Sequence, residues 1–472
     1  MYTQTQSESR RWWQSVKGLL GQSPNTRNQL SRLANRLTNG DFSQLAENIN
    51  TFFHGISADL PVFDFSCIAQ LLSDIDVLPA DLIIESHSIE SKLAHINIHK
   101  SPGPDQIPNW FLRDFSAYLA DPVCCIFNTS LRTGIFPQSW KQANVIPVPK
   151  VQPPGTIESD LRPISLTPTL SKLLESYVGN WILDRVVSKL ECKQFGAIRG
   201  RSTTHALVDM LHTWHKALDQ SQVARVTFVD FSKAFDRVDH TVVINNLNAL
   251  AIPGSVIRWF ASFLANRQQR VKIASNLSSW LNLKGGMPQG SWLGPLTFII
   301  VIDKLKLSCL THKYIDDTTM TEILLPGQTS DMVEYMNELY QWSLANNMQI
   351  NKQKTKEMVI TSSRAVSLPF IPNIERVETF ELLGVIVSND LKWNSHIAYV
   401  MHKANSRRHL LRQLKRAEVP QDDILHFYIS IIRPVLEYVV AVWHTGLTAD
   451  LSDKLSHTKT RTSYNIRWLQ FY

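Results

Sequence analysis

Ala224-Arg-Val-Thr-Phe-Val-Asp230 is the stretch on which the reading of this chain turns. It is short, rich in β-formers and ends in a carboxylate, so it predicts a strand that delivers Asp230 to one end of a sheet. Just before it, Leu207, Met210, Leu211, Trp214 and Leu218 fall at helical spacing, which predicts an amphipathic helix over 205–220 packed on that sheet. After it, Ser232–Asn248 reads as loop and helix. Residues 308–325 read as two short strands with Asp316-Asp317 near the turn between them, and Met332, Tyr335, Met336, Leu339 and Trp342 mark another helix. The middle third is therefore expected to be an α/β sheet with helices against one face.

Working outward, residues 1–60 are polar and irregular, opening with Arg10, Arg11, Trp12 and Trp13, and read as a linker or tail without a long hydrophobic period. Ser101-Pro-Gly-Pro-Asp105 is a turn cluster, and Trp110–Thr133 carries helix-like apolar spacing. Pro369, Pro372 and a strand-like Glu381-Leu-Leu-Gly-Val-Ile-Val387 suggest a domain boundary around 365–392. Beyond it, Ser395–Ala417 reads as a helix on which Arg408, Arg412, Lys415 and Arg416 can share a face.

A chain of 472 residues exceeds the usual limit of one core and implies two or three domains. With 44% hydrophobic and 19% charged residues it is not a mainly disordered chain. Forty-eight Lys and Arg against 41 Asp and Glu give a formal charge of +7, a mild excess that suits a polyanionic partner. The five cysteines (Cys67, Cys124, Cys125, Cys192, Cys309) are odd in number and form no C-x-x-C pair, which argues against a disulfide framework or zinc ribbon. The N-terminus lacks an apolar signal core. The longest apolar stretches are interrupted, Trp292–Ile302 by Asp303 and the 427–443 region by Arg433, Pro434 and Glu437. A soluble, intracellular protein without a membrane span is expected.

Phosphoryl transfer to a growing nucleic-acid chain needs two divalent ions held by short acidic arms on rigid strands. Asp230 at one strand end and Asp316-Asp317 at a hairpin supply such arms, and only a folded sheet could bring positions so distant in sequence together. In isolation Tyr314-Ile-Asp-Asp317 is as readily a surface turn, because Asp favours turns for its own reasons.

The series of segments around these residues resembles the successive motifs of reverse transcriptases. In order they are Leu161-Arg-Pro-Ile-Ser-Leu166, Gln194-Phe-Gly-Ala-Ile-Arg-Gly-Arg-Ser-Thr203, Phe228-Val-Asp-Phe-Ser-Lys-Ala-Phe-Asp236, Gly286-Met-Pro-Gln-Gly-Ser291, Tyr314-Ile-Asp-Asp317, Asn351–Lys356 and Leu382-Leu-Gly-Val385. Lys100-Ser-Pro-Gly-Pro-Asp105 is similar to the segment before the fingers in non-LTR (LINE-type) retrotransposon enzymes, so the resemblance spans about 95–445. It implies a right-hand polymerase fold with an α+β palm: an N-terminal extension at 1–94, fingers at 95–225, palm at 226–365, a primer-grip hairpin at 366–390, a helical thumb at 391–450 and a divergent tail at 451–472.

The resemblance further implies RNA-directed DNA synthesis from a primer 3′ end, with RNA template, DNA primer and dNTPs as partners. Two Mg2+ ions, replaceable by Mn2+, would be held by Asp230, Asp316 and Asp317. Arg162 would grip the triphosphate bidentately, with Lys172 a second candidate that could equally be a surface charge. Phe231 and Phe235 fall at the nucleotide, Phe235 as a steric gate against a 2′-hydroxyl or else a core ring. Gln289 and Gly290 match the loop packed against the templating pair, or an ordinary turn. Lys354 or Lys356 would protonate the departing pyrophosphate, and the sequence does not choose between them. Leu383 and Gly384 match the primer grip. The stripe of Arg408, Arg412, Lys415 and Arg416 would track the nucleic-acid backbone from the thumb, or be a solvated face.

Ile315 departs from the smaller or unbranched residue usual at that place and would crowd the primer terminus. Asp303-Lys304 stands where the family often has Asn-Asp. No endonuclease is expected in the first 85 residues, so nicking would come from elsewhere, and the family pattern fades after Leu451. Two other readings stay open: a catalytically inactive remnant that only binds nucleic acid, and an RNA-dependent RNA polymerase, which would not need Phe235 as a gate. Action in cytoplasm and nucleus is implied by resemblance alone.

Overall fold

A computed structural model describes residues 26–64, 77–362 and 368–464. The readings of Arg10 to Trp13, of Cys67 and of the chain beyond 464 lie outside these residues. The strands, numbered along the chain, are β1 (Gln142–Pro149), β2 (Leu161–Leu166), β3 (Val223–Val229), β4 (Gln268–Ile273), β5 (Asn276–Leu277), β6 (Leu281–Asn282), β7 (Leu310–Tyr314), β8 (Asp317–Leu324), β9 (Lys356–Ile360), β10 (Glu375–Arg376), β11 (Thr379–Leu382) and β12 (Val385–Ser388). They fall into two compact units.

The first unit comprises the described residues of 26–191, with 232–305 and 342–349. Its sheet runs β2-β1-β4-β5, with β6 also on β4. Strand β1 pairs antiparallel with β2 (Val145↔Ser165) and parallel with β4 (Val145↔Val271). Two helices, Thr26–Thr38 and Phe42–Gly55, place Leu30, Leu33, Ala34, Leu45, Ala46, Ile49 and Phe53 against Val145, Leu161, Val271 and Ile273. This corrects the expectation of an irregular polar linker for these residues. The apolar positions are few but recur one helical turn apart, which is enough for one narrow buried stripe. Asp41 caps the second helix, its carboxylate accepting from the Ser43 N–H at 2.8 Å and the Gln44 N–H at 3.2 Å. The helix Leu293–Ile302 is apolar but for Thr297 and buried at every position but Pro295, a core helix as its sequence requires.

The second unit comprises 192–231, 306–341 and 350–472. Its main sheet has the order β10-β9-β3-β8-β7, so the strand that opened the sequence reading lies in the centre. All seven residues of β3 are buried. Antiparallel registers Val229↔Thr318 with β8 and Phe228↔Lys356 with β9 fix what stands at its C-terminal end. The helix Thr203–Asp219 buries Leu207, Met210, Leu211 and Trp214 on the sheet, and the Trp214 ring meets Phe228 edge-on at 6.4 Å. Arg225 is the one charged residue of this strand and is fully buried. Its Nε donates to Glu357 at 2.6 Å and its two terminal nitrogens donate to Ser330 Oγ and the Pro369 carbonyl, each at 2.7 Å.

The described part, 368–392, of the segment read as a boundary is internal to this unit. Its β10 pairs with β9, and Arg376 donates to Glu357 at 2.8 Å. The hairpin β11–β12 lays Phe380 flat on Phe228, ring centroids 4.1 Å apart. A long helix, Asn394–Arg416, follows with Ile397, Val400, Ala404, Leu411 and Leu414 buried. The helical run Gln421–Gly446 is long and apolar enough to cross a membrane by length and composition alone. It contains the Arg433–Glu437 ion pair (2.8 Å) and buries Ile424, Phe427, Ile432, Leu436 and Trp443.

Candidate active site

Asp230 leaves the end of β3, and its backbone is pinned on the β9 side. The Asn351 N–H donates to the Asp230 carbonyl at 2.8 Å, and the Asp230 N–H donates to Thr355 Oγ1 at 3.3 Å. Because Val229 faces Thr318 across the sheet, Asp230 emerges beside the β7–β8 hairpin. That hairpin closes with the pair Tyr314↔Asp317, leaving Ile315 and Asp316 as a two-residue turn. Ile315 takes the first turn position with φ +59°, a left-handed conformation that costs an L residue about 1–2 kcal/mol. Sequence reading expected the size of Ile315 to matter; its backbone conformation is the sharper peculiarity.

The three carboxylates feel one another. Burial, then the charges of Asp316 and Asp230, push the Asp317 carboxyl up to about 6. Burial foremost, with the Asp230 charge assisting, also raises Asp316. The Asp317 side chain is nevertheless open to solvent, so a cation can reach it. Among the described residues no three His, Cys, Asp or Glu side chains close around a single ion on their own. The arrangement is an open acidic rim, which could bind a cation only with further oxygens from water or ligand.

Lys354 Nζ stands 3.9 Å from Asp230 Oδ2 with most of its length in solvent. Lys356, by contrast, is bound by Glu375 and the Gln353 carbonyl, both at 2.6 Å. A small groove lined by Met210, His312, Tyr314, Asp317, Leu382 and Leu383 puts the β11–β12 turn on the same cavity as Asp317. In that turn both Leu383 and Gly384 have positive φ (46° and 82°), and Tyr438 Oη donates to the Leu383 carbonyl at 3.0 Å. On the helix Asn394–Arg416, Arg412, Lys415 and Arg416 are exposed and Arg408 is half-buried. Phe231, grouped by sequence with the nucleotide contacts, is only 5% exposed and pairs with Ile350. Its ring is thus almost wholly buried.

The first unit holds the remaining candidates. Arg162 is exposed on β2, and Lys172 is half-buried at the start of the helix Thr169–Val186, where burial lowers its pKa and the Lys100 charge adds to the effect. Phe235 is half-buried and stacked on Phe298 at 5.3 Å. Gln289 Nε2 donates to both oxygens of Asp236 (3.1 and 3.0 Å), and the Ser165 N–H donates to the Gln289 carbonyl at 2.7 Å. Burial lifts the Asp236 carboxyl to about 6, and the Gln289 amide works against that rise. Gly290 has φ +129°, and a Cβ there would meet the Ser165 carbonyl oxygen at 2.6 Å, so the loop needs glycine to lie on β2. Asp236 lies inside a motif without a role of its own in the sequence, and its pairing with Gln289, itself a candidate for the loop at the templating pair, shows only in the fold.

A family model described as "Reverse transcriptase (RNA-dependent DNA polymerase)" matches residues 148–387. A second, short match covers 393–433 and is described as "Alkylated DNA repair protein alkB homolog 8, N-terminal". Among curated relatives, the Drosophila melanogaster "Probable RNA-directed DNA polymerase from transposon BS" is 24% identical, covering 84% of this chain and 47% of its own. The "RNA-directed DNA polymerase from mobile element jockey" of the same species is 26% identical over 81% of this chain and 44% of its own. A type-1 retrotransposable element R1 polyprotein of Bradysia coprophila is 23% identical over 81% and 39%. The chain thus spans about half the length of the curated relatives it matches. The two aspartate-bearing strand ends and the order of segments around them, matched over half the chain, make it a member of the reverse transcriptase family of non-LTR retrotransposons.

Proposed function

We propose that this chain synthesises DNA on an RNA template by adding dNTPs to a primer 3′ end. The observation that carries the reading is the register of β3 with β8, which sets Asp230 beside Asp316 and Asp317. Three neighbouring carboxylates, Asp317 exposed and Asp230 and Asp316 half-buried, too few to enclose an ion, suit divalent cations whose shells are completed by water and substrate phosphates. Mg2+, or Mn2+ in its place, would activate the primer hydroxyl and offset charge on the leaving pyrophosphate.

The chain's own groups have separable parts. Asp230, Asp316 and Asp317 would hold the cations. Lys354, free to swing and already drawn to Asp230, is the better of the two lysines to protonate the leaving group, since Glu375 occupies Lys356. Leu383 and Gly384, on the groove shared with Asp317, would seat the primer end. Arg408, Arg412, Lys415 and Arg416 would follow the duplex backbone. In the first unit, Arg162 and Lys172 would take triphosphate oxygens. Gln289, fixed by Asp236, and Gly290 would present a rigid loop to the nucleotide. Phe235 would stand under the sugar as gate. A fingers, palm and thumb division, and work in cytoplasm and nucleus on nicked DNA, follow from the family resemblance.

The test is extension of oligo(dT) on poly(rA) with dTTP and Mg2+ or Mn2+, beside Asp316→Asn. Extension by the wild type that vanishes in the variant supports the reading. A folded chain that binds RNA and extends nothing overturns it in favour of a binding role, and preference for UTP would make it an RNA polymerase.

A further inference from the structure

We infer that Gln194 is a positioning residue that fixes the backbone of the aspartate hairpin, acting through Ile315 without touching substrate; the inference deepens the proposed polymerase reading and rests on it.

Strand β7 lies at the edge of its sheet. Residues 193–195 meet that edge through one isolated parallel bridge. Gln194 bridges Lys313 in parallel, the Phe195 N–H donates to the Lys313 carbonyl at 2.8 Å, and the Lys313 N–H donates to the Lys193 carbonyl at 3.0 Å. Three further ties hold the segment. Arg201 donates to the carbonyls of Cys192 (2.9 Å) and Gln194. Lys193 Nζ lies 2.6 Å from Asp209, and the same carboxylate takes His312 Nε2 of β7 at 2.8 Å. The segment is therefore a fixed rail from which a side chain can act on the hairpin.

Gln194 is that side chain. It is 2% exposed, and its Oε1 accepts from the Gly196 N–H at 2.9 Å and the Ile315 N–H at 3.2 Å. Both partners are N–H donors, so the oxygen, not the amide nitrogen, must occupy this place. Ile315 is the turn residue with left-handed φ, next to Asp316. A branched residue does not hold that conformation by preference, and its N–H, turned out of the ladder, needs an acceptor. Gln194 supplies it. Gly196 brings the rail close enough: a Cβ there would stand 2.5 Å from both the Ile315 nitrogen and Cγ1 and 2.9 Å from the Tyr314 carbonyl carbon.

The experiment compares wild type, Gln194→Met and Gly196→Ala by single-nucleotide extension and by hydrogen exchange of the protein alone. Gln194→Met keeps the shape and removes the acceptor; Gly196→Ala keeps the acceptor and pushes the turn. Both are expected to lower kcat about 10- to 100-fold with KM for dTTP and affinity for the primer–template duplex changed less than about threefold. Both should speed amide exchange at 314–317 while β3 and β9 keep wild-type protection. Unchanged exchange at the hairpin overturns the inference. So does a loss confined to KM or duplex affinity, which would make Gln194 a nucleic-acid contact, or exchange rising throughout the sheet, which would make it a fold residue. If wild type extends no primer, the polymerase reading fails, and the exchange data still decide whether Gln194 holds the turn.

Discussion

Replacing Arg225 with Met should loosen the strand that carries Asp230. Arg225 and Glu357 are each fully buried and 2.6 Å apart, and Arg225 also donates to Ser330 and the Pro369 carbonyl. Removing one member of a buried ion pair costs about 3–5 kcal/mol because the other charge is left without its partner. Glu357 retains Arg376, at 2.8 and 3.1 Å, so the lower end applies, about 3 kcal/mol. Hydrogen exchange of amides in β3 and β9 reads this locally, without requiring the two units to unfold together. The thermal midpoint of the second unit should fall by roughly 6–12 °C. The double variant Arg225→Met/Glu357→Leu should regain at least half of the loss. Arg376, 22% exposed, can then turn to water. A change below about 1 kcal/mol in the single variant, or no recovery in the double, would refute the reasoning.

Asp230→Ala should abolish metal-dependent synthesis and leave RNA affinity and thermal midpoint near wild type; comparable extension rates would end the metal-ligand assignment. Phe235→Val should admit ribonucleotides, read as a fall in the dNTP-over-rNTP ratio of kcat/KM; an unchanged ratio with a lowered midpoint would make Phe235 a core ring stacked on Phe298. The folded carboxyl of Asp317, at about 6, lies above its ordinary value, so its charge weakens the fold above pH 6 and that penalty fades as pH falls toward 4. Without divalent ions, Asp317→Asn should therefore raise the thermal midpoint at pH 8 and differ little from wild type near pH 4. A gap independent of pH would show that the charge of the half-enclosed Asp317 is not its cause.

Much of the second unit was legible because its pattern is local. Ala224 to Asp230 declares a strand by β-branched content, and Leu207 to Trp214 declare a helix by spacing. Tyr314 to Asp317 marks a turn by the residues it contains. What escaped reading depends on partners far away in sequence. Arg225 in an apolar strand makes sense only once Glu357 faces it, and Gln194 only once Ile315 is known to be left-handed. Phe231 is grouped with the nucleotide contacts by resemblance, and its near-complete burial shows only in the fold. The helices Thr26–Thr38 and Phe42–Gly55 were lost among Asn, Gln and Ser, although Leu30, Leu33 and Ala34 keep a helical interval that a polar average conceals.

The seven buried residues of β3 also bear on how such a gene decays. Neighbouring side chains on a strand point to opposite faces, so losing a single codon within Val223–Val229 would offset β3 by one place against β8 and β9. The shortened strand could still hydrogen-bond, but Arg225 and Phe228 would exchange faces with their neighbours. Either the core or the alignment of Asp230 with the hairpin would be given up. Codon loss here is thus more damaging than most substitutions, and the full length of 223–230 is a sensitive gauge of whether the strand still aligns Asp230 with the hairpin.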